Sequence, residues 1–278
     1  MNIYISVDME GIAGAVVGDH MGGSGDYQRF RHIMTAEANA AVEGALAAGA
    51  TGVVVNDGHG PMTNILIEEL HAEAELISGI NKPMLQLEGI DEGFDGVFFV
   101  GYHQREGGGD GVMNHTILGR VVYEIRVNGQ PVDEAGLNAG AAGACGVPVA
   151  LVTGDDHVCK DAEVRFPGVV TAPVKRAIDR YATRSLTPVK AQSLIREAAE
   201  RAVQKLQEGS LKPYTVDTPV EIELDFKVTA AAHMATLLPG VERRGSRGVT
   251  IRSDDYLTGY RTLIATILYG FHASEGKL

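Results

Sequence analysis

The sequence predicts an α/β protein in which a mostly parallel sheet is flanked by helices, with a smaller C-terminal α+β domain. Short continuous apolar runs, such as residues 52–55 and 96–100, are typical of buried parallel strands. These runs alternate with longer segments of helical periodicity, which indicates βαβ units. Polar side chains also follow three of the predicted strands, at the edge where open parallel sheets bind their ligands.

The first 180 residues repeat the order strand, polar loop, helix. Strand patterns cover residues 3–7, 52–55, 75–77, 96–100, 149–152 and 169–174. Helical spacing covers residues 27–48, 64–70, 135–144 and 156–165. Asn128-Gly129 joins residues 121–127 to residues 130–132, and this dipeptide is a strong signal for a two-residue hairpin turn. We assign residues 1–180 to one α/β domain.

The remaining residues have a different pattern. Residues 188–208 show the apolar stripe of an amphipathic helix, and residues 220–228 alternate like a strand with one exposed face. A short helix over 230–238, a strand over 249–252 and a terminal helix over 254–271 follow. We therefore expect residues 181–278 to form the smaller α+β domain.

The composition excludes several classes of protein. The 278 residues contain 24 Lys+Arg and 36 Asp+Glu, a net charge of −12 that argues against nucleic-acid binding. No apolar run approaches the ~18 residues of a membrane span, and the N-terminus lacks a signal-peptide pattern, so we expect a cytoplasmic protein. Glycine is abundant, with 35 residues against about 19 at average usage, which predicts many tight turns.

Carboxylates and histidines at the strand ends form a candidate metal site. Asp8 and Glu10 lie two residues apart after the first strand, a spacing that would direct both to one face of a strand. His59 and His103 follow two further strands, and Glu134 follows the hairpin. One Asp-x-Glu or one histidine is more often structural, so the hypothesis depends on their convergence. Such ligands suit Zn²⁺, with Mn²⁺ or Co²⁺ as alternatives.

The number of candidate ligands suggests two metal ions. Three carboxylates and two histidines exceed the needs of one tetrahedral zinc, but a pair about 3.5–4 Å apart would use them all if one carboxylate bridges. His115 lies in the same stretch and could act on the substrate. The compact zinc motifs H-E-x-x-H and C-x-x-C do not occur.

The segments around these residues resemble the zinc-dependent D-aminopeptidases associated with bacterial dipeptide-transport operons. The matching segments are residues 6–12, 55–59, 76–79, 101–103, 111–115, 134–138 and 154–156. Their order and spacing match to about residue 175, and a weaker collinear likeness continues beyond it. The resemblance implies an aminopeptidase with two Zn²⁺ per chain, acting on short peptides or amino-acid amides with an N-terminal D-amino acid.

The resemblance also implies roles for individual residues. Five residues stand at the family's metal-ligand positions, with the first as our choice of bridge: Asp8, Glu10, His59, His103 and Glu134. His115 stands at the position of the proposed catalytic histidine. The family forms homodecamers of stacked pentamers, and we expect residues 181–278 to help this oligomerisation. The residues alone leave open a binuclear phosphoesterase, another amidohydrolase or a non-catalytic binding protein.

Overall fold

The computed structural model describes residues 1–23 and 25–275 of the chain. The strands are β1 Asn2–Val7, β2 Gly52–Asp57, β3 Ala74–Ile77, β4 Gly96–Tyr102, β5 Val122–Val127, β6 Gln130–Pro131, β7 Val149–Asp155, β8 Val170–Asp179, β9 Ala182–Ser185, β10 Val220–Phe226, β11 Val241–Arg244 and β12 Gly248–Ser253. The α-helices are α1 Gly25–Ala47, α2 Glu134–Ala144, α3 Asp156–Arg165, α4 Pro188–Gln207, α5 Thr229–Ala235 and α6 Tyr256–Ser274.

A seven-stranded sheet, here called sheet A, has the strand order β3-β2-β1-β4-β7-β8-β9. Its first six strands are parallel, and β9 pairs antiparallel with β8. The central β1 lies between β2 and β4, so the carboxyl ends of these three strands are adjacent. This strand order confirms the predicted α/β fold with a mostly parallel sheet.

The two faces of sheet A pack into separate apolar clusters because successive strand residues point to opposite faces. In β1, Ile3 and Ile5 belong to a cluster with α1 and α4, whereas Tyr4 belongs to the cluster on the other face. That second cluster includes residues of α2, α6 and a five-stranded antiparallel sheet, here called sheet B. Sheet B has the order β11-β12-β10-β5-β6.

Several elements differ from the sequence prediction. Residues 64–70 form turns rather than the predicted helix, since a spacing over only seven residues is a weak signal of periodicity. The Asp57 carboxylate accepts the main-chain N–H groups of Asn64 and Ile65 at 2.5 and 2.7 Å. The edge strands β9 and β11 were not predicted. The Asn128-Gly129 hairpin is confirmed, and both residues have the positive φ that its turn requires, 48° and 76°.

The division into domains at residues 180/181 stays a prediction. The two sheets draw on both sides of that boundary, since β9 completes sheet A and β5 and β6 belong to sheet B. Helix α4 packs against α1 on sheet A, and α6 packs against β10 and β12.

Among the described residues, no helix combines the length and apolar character needed to span a lipid bilayer.

Candidate metal centre

Asp8 and Glu10 lie in the connection that follows β1. The strand ends at Val7 and the chain turns directly after it. Glu10 is therefore outside the strand, and the two-residue periodicity from which its direction was predicted does not apply. The turn passes so close to β4 that a Cβ on Gly11 would lie 2.0 Å from the carbonyl oxygen of Tyr102. Only glycine fits there, and this close approach directs both carboxylates to the same site.

The two predicted histidine ligands lie near different oxygens of the Asp8 carboxylate. His59 follows β2, and its Nδ1 lies 3.3 Å from Asp8 Oδ1 and 2.8 Å from Glu10 Oε2. His103 follows β4, and its Nε2 lies 3.4 Å from Asp8 Oδ2 and 3.5 Å from Glu134 Oε1. The structure therefore brings all five predicted ligands together.

These five side chains fall into two sets that share Asp8. One set is Asp8, Glu10 and His59, and the other is Asp8, His103 and Glu134. Within each set, the candidate ligand atoms lie within 4.8 Å of one another. The donor sets contain only carboxylates and imidazoles, which suit a divalent ion such as zinc.

Burial favours positive charge at this site. All five residues are at most 7% exposed, and a cluster of buried carboxylates is costly without compensating positive charge. Among the described residues, His103 Nε2 is also a buried nitrogen with no hydrogen-bond partner, and it points at Asp8 and Glu134. The residues present thus fit a bound metal.

The electrostatics of the site also favour positive charge. Burial acts to raise the pKa of Glu10, but the charge and hydrogen bond of His59 hold that pKa well below its usual range. Burial acts to lower the pKa of His59 and His103, but the adjacent carboxylates raise both well above the usual value. A metal ion would replace the protons that these imidazoles would otherwise bind.

His115 lies beside the five ligands without belonging to either set. Its ring stacks on the ring of His103 with 4.4 Å between centroids and 10° between planes. Its Nδ1 lies 2.9 Å from the carbonyl oxygen of Met113, which can only accept, so Nδ1 carries the proton. Nε2 then faces the site, 3.7 Å from Glu10 Oε1, and is free to exchange a proton. Glu10, His103 and His115 form a third group with metal-binding geometry.

A buried chain of amides, which the sequence did not predict, supports Glu134. Gln86 donates from Nε2 to Glu134 Oε2 at 2.5 Å, and Asn138 donates to Gln86 Oε1 at 2.6 Å. Asn138 also donates to the Tyr102 hydroxyl and accepts from the Tyr260 hydroxyl. Asn138 lies four residues after Glu134 on α2, a helical spacing that could have identified it. Gln86 has no comparable signal.

The buried Lys175, which was also not predicted, binds the connection between β1 and α1. Its ammonium donates to the carbonyl oxygens of Glu10, Ile12 and Ala15. Burial lowers the pKa of Lys175 to about 8. The Glu37 carboxylate accepts the next N–H of the same connection, that of Ala13, at 2.8 Å. Two ionisable side chains from distant parts of the chain thus fix the segment that carries Glu10.

A cavity of about 130 Å³ opens beside the metal ligands. Apart from the ligands, His115 and short polar segments, its wall is largely apolar: Met62, Ile80, Leu85, Ile117, Leu118, Tyr260 and Leu268. Within the described chain, no lysine or arginine lines this cavity. A small ligand could therefore contact both the metal-binding groups and an apolar surface.

The fold and the site together define a metal-dependent enzyme of the α/β class. The profile of a family described as D-aminopeptidase matches residues 1–265, and the chain belongs to that family. A D-aminopeptidase of Bacillus subtilis (strain 168) is 42% identical over 267 residues, which are 95% of this chain and 96% of that protein. The predicted family and the peptidase class of the enzyme are therefore confirmed.

A solved structure shows the same architecture. It is described as a Zn-dependent D-aminopeptidase, DppA from Bacillus subtilis, and as a self-compartmentalizing protease. It matches with a TM-score of 0.94 at 39% sequence identity, over 99% of each chain. This likeness confirms the predicted α/β fold, while the roles of the individual site residues stay predictions.

Proposed function

We propose that this protein is a zinc-dependent D-aminopeptidase that removes an N-terminal D-amino acid from short peptides or amino-acid amides, with two Zn²⁺ per chain. The observation that carries the proposal is the position of Asp8, which belongs to two ligand sets at once in a chain of the D-aminopeptidase family. Asp8, Glu10 and His59 would hold one ion, and Asp8, His103 and Glu134 the other. When bound, zinc supplies Lewis acidity and an activated water.

The other groups of the site would bind the substrate and move protons. The N-terminal side chain of the peptide can lie against the apolar cavity wall, for example Leu85 and Leu118. His115 Nε2 faces the site and carries no proton while Nδ1 donates to Met113, so it can take a proton from the water consumed in hydrolysis and pass it to the leaving amine. The cavity has no described lysine or arginine that would favour a phosphate ester. The structure thus offers no support for the phosphoesterase alternative.

The metal requirement and the substrate class are tested together. Dialysis against a chelator should abolish hydrolysis of D-Ala dipeptides, and two equivalents of Zn²⁺ should restore it. A panel of dipeptides with D or L residues at the amino end should show faster turnover of the D series. Full activity without metal, or a preference for L residues, would contradict the proposal. A chromogenic phosphate ester in the same panel tests the alternative.

The sharing of Asp8 predicts a difference in zinc stoichiometry between two variants. Glu134→Gln weakens one proposed ligand set, so about one zinc per chain should remain. Asp8→Asn weakens both sets and should leave less than one. Elemental analysis after exhaustive dialysis measures the ratio. Equal loss in the two variants would contradict Asp8 as the bridge.

His115 is tested by substitution with alanine. His115→Ala should lower kcat by about 10²–10⁴-fold, the usual contribution of a general acid or base. The zinc content should stay unchanged, because His115 belongs to neither of the two sets that share Asp8. If zinc is lost with activity, His115 is a ligand and its proposed role is wrong.

We also propose that the chain assembles into a homo-oligomer, a decamer of stacked pentamers to which residues 181–278 contribute contacts. The support is the likeness to a protein described as a self-compartmentalizing protease. Light scattering after gel filtration should give the mass of ten 29.5 kDa chains. A monomer would contradict it. The cytoplasmic location expected from the sequence stays a prediction.

A further inference from the structure

His115 lies in a long connection without helix or strand, residues 103–121, here called the His115 loop. Two residues that are not glycine adopt left-handed backbone conformations on either side of His115. They are Met113, with φ 46°, and Ile117, with φ 58°. Such conformations are unfavourable, above all for a β-branched side chain, and persist only where the surroundings hold them.

Each of these two residues is held by a contact from outside the loop. Glu134 Oε1 accepts the N–H of Ile117 at 2.6 Å. On the other side, the main-chain oxygen of Arg180 accepts the N–H of Met113 at 2.8 Å. The Arg180 guanidinium also donates from Nη1 to both the main-chain and the side-chain oxygen of Asn114. Arg180 therefore contacts both residues that precede His115.

The orientation of the His115 ring depends on the segment that Arg180 holds. The ring nitrogen Nδ1 bonds to the carbonyl oxygen of Met113, so a shift of Met113 would turn the ring. Arg180 itself lies between β8 and β9, in sheet A, and its Nη1 is 3.8 Å from Glu106 Oε2 in the His115 loop. Lys227, which follows β10, reaches the same Glu106 oxygen at 3.2 Å. The pairing of β8 with β9 anchors Arg180 outside the loop.

We propose that Arg180 is a positioning residue for His115. It holds Met113 and Asn114, and through them it directs His115 Nε2 towards Glu10 and the cavity. The inference rests on the proposed function, in which His115 holds or moves a proton. Arg180 does not line the cavity, so it acts on the reaction only through His115.

This role predicts an effect on kcat and little effect on KM. Arg180→Met removes the donors to Asn114 and keeps the apolar part of the side chain. Because a displacement of about 1 Å in a catalytic group can cost about 10²-fold in rate, we expect kcat to fall by about 10–100-fold. Zinc content and far-UV circular dichroism should stay at the wild-type level.

Two further variants and one control make the test specific. Arg180→Lys keeps a donor and should recover part of the lost kcat, and millimolar guanidinium should do the same for Arg180→Ala. Arg184→Met is the matched control, because Arg184 is an exposed arginine on the same hairpin, opposite Arg176. It should retain the wild-type kcat.

A double variant separates this inference from the proposed function. In a His115→Ala background, Arg180→Met should lower kcat no further, because the residue through which it acts is gone. The inference is overturned if Arg180→Met retains wild-type kcat, loses zinc, or has the same effect with and without His115. If His115→Ala alone retains kcat, the proposed role of His115 fails first and this inference fails with it.

Discussion

The buried carboxyl group of Glu37 allows a quantitative test of how the β1–α1 connection is held. Glu37 is fully buried in α1, and one of its oxygens accepts the N–H of Ala13. Among the described residues, its other oxygen has no hydrogen-bond partner. Burial raises the pKa of Glu37 from 4.5 to about 7, although the Ala13 bond and the Lys175 charge oppose the rise. The variant that tests this effect is Glu37→Gln.

The magnitude follows from the linkage between protonation and folding. Because the folded-state pKa is raised, the folded protein keeps a proton that the unfolded chain releases between about pH 4.5 and pH 7. The stability of the wild type therefore falls as pH rises through that window. A rise from 4.5 to about 7 corresponds to about 3 kcal/mol. The Glu37→Gln variant carries no such group and avoids this loss.

The assay is urea unfolding of both proteins at several pH values from 4.5 to 7.5. Far-UV circular dichroism is the signal, because the chain contains no tryptophan. A chelator and a common protein concentration keep metal binding and assembly equal in the two samples. All other groups titrate in both proteins, so their contributions largely cancel in the difference.

The free energy of unfolding of Glu37→Gln, relative to that of the wild type, should rise by about 3 kcal/mol between pH 4.5 and pH 7.5. Glu43→Gln is the matched control, because Glu43 is exposed on the same helix, and it should not reproduce this gain. A constant difference for Glu37→Gln, or a difference of opposite sign, would refute the reasoning about burial.

Two other predictions concern the support of the metal ligands. Gly11→Ala places a Cβ 2.0 Å from the oxygen of Tyr102, so thermal unfolding should show a loss of about 3 kcal/mol, together with weaker zinc binding. Gly22→Ala, with open space around it, should match the wild type, and equal melting of the two variants would contradict this. Gln86→Leu removes the donor to Glu134, so competition with a chromogenic chelator should show about 10–100-fold weaker zinc binding. Unchanged zinc affinity would argue against that support.

Local signals explain which elements were predictable. The helix over residues 156–165 was correct at both ends, and the Asp155 side chain fixes its start by accepting the N–H of Val158 at 2.8 Å. The buried strands β2 and β4 were found from their apolar runs. The edge strand β9 was missed because its residues, Ala182–Ser185, have neither an apolar run nor alternation. The helix predicted over 64–70 was wrong, because seven residues are too few for apolar spacing to identify a helix.

The sequence by itself determined the kinds of groups at the site and the edge at which they meet. Donors placed after strands of a parallel sheet must lie at its carboxyl edge, so the strand pattern placed Asp8, His59 and His103 at one edge of the sheet. Glu134 followed the hairpin and was counted among the candidate ligands from the residues, and the family resemblance placed it at a ligand position. The lack of thiolates already favoured a divalent ion bound by carboxylates and imidazoles.

The tertiary structure decided how these groups are arranged. Local periodicity does not encode strand order, and it is the position of β1 between β2 and β4 that puts the Asp8 carboxylate between the two histidines. The supporting residues Gln86, Lys175 and Arg180 come from other parts of the chain. They act through side-chain hydrogen bonds, which have no period in the sequence, so only the folded chain shows what they hold.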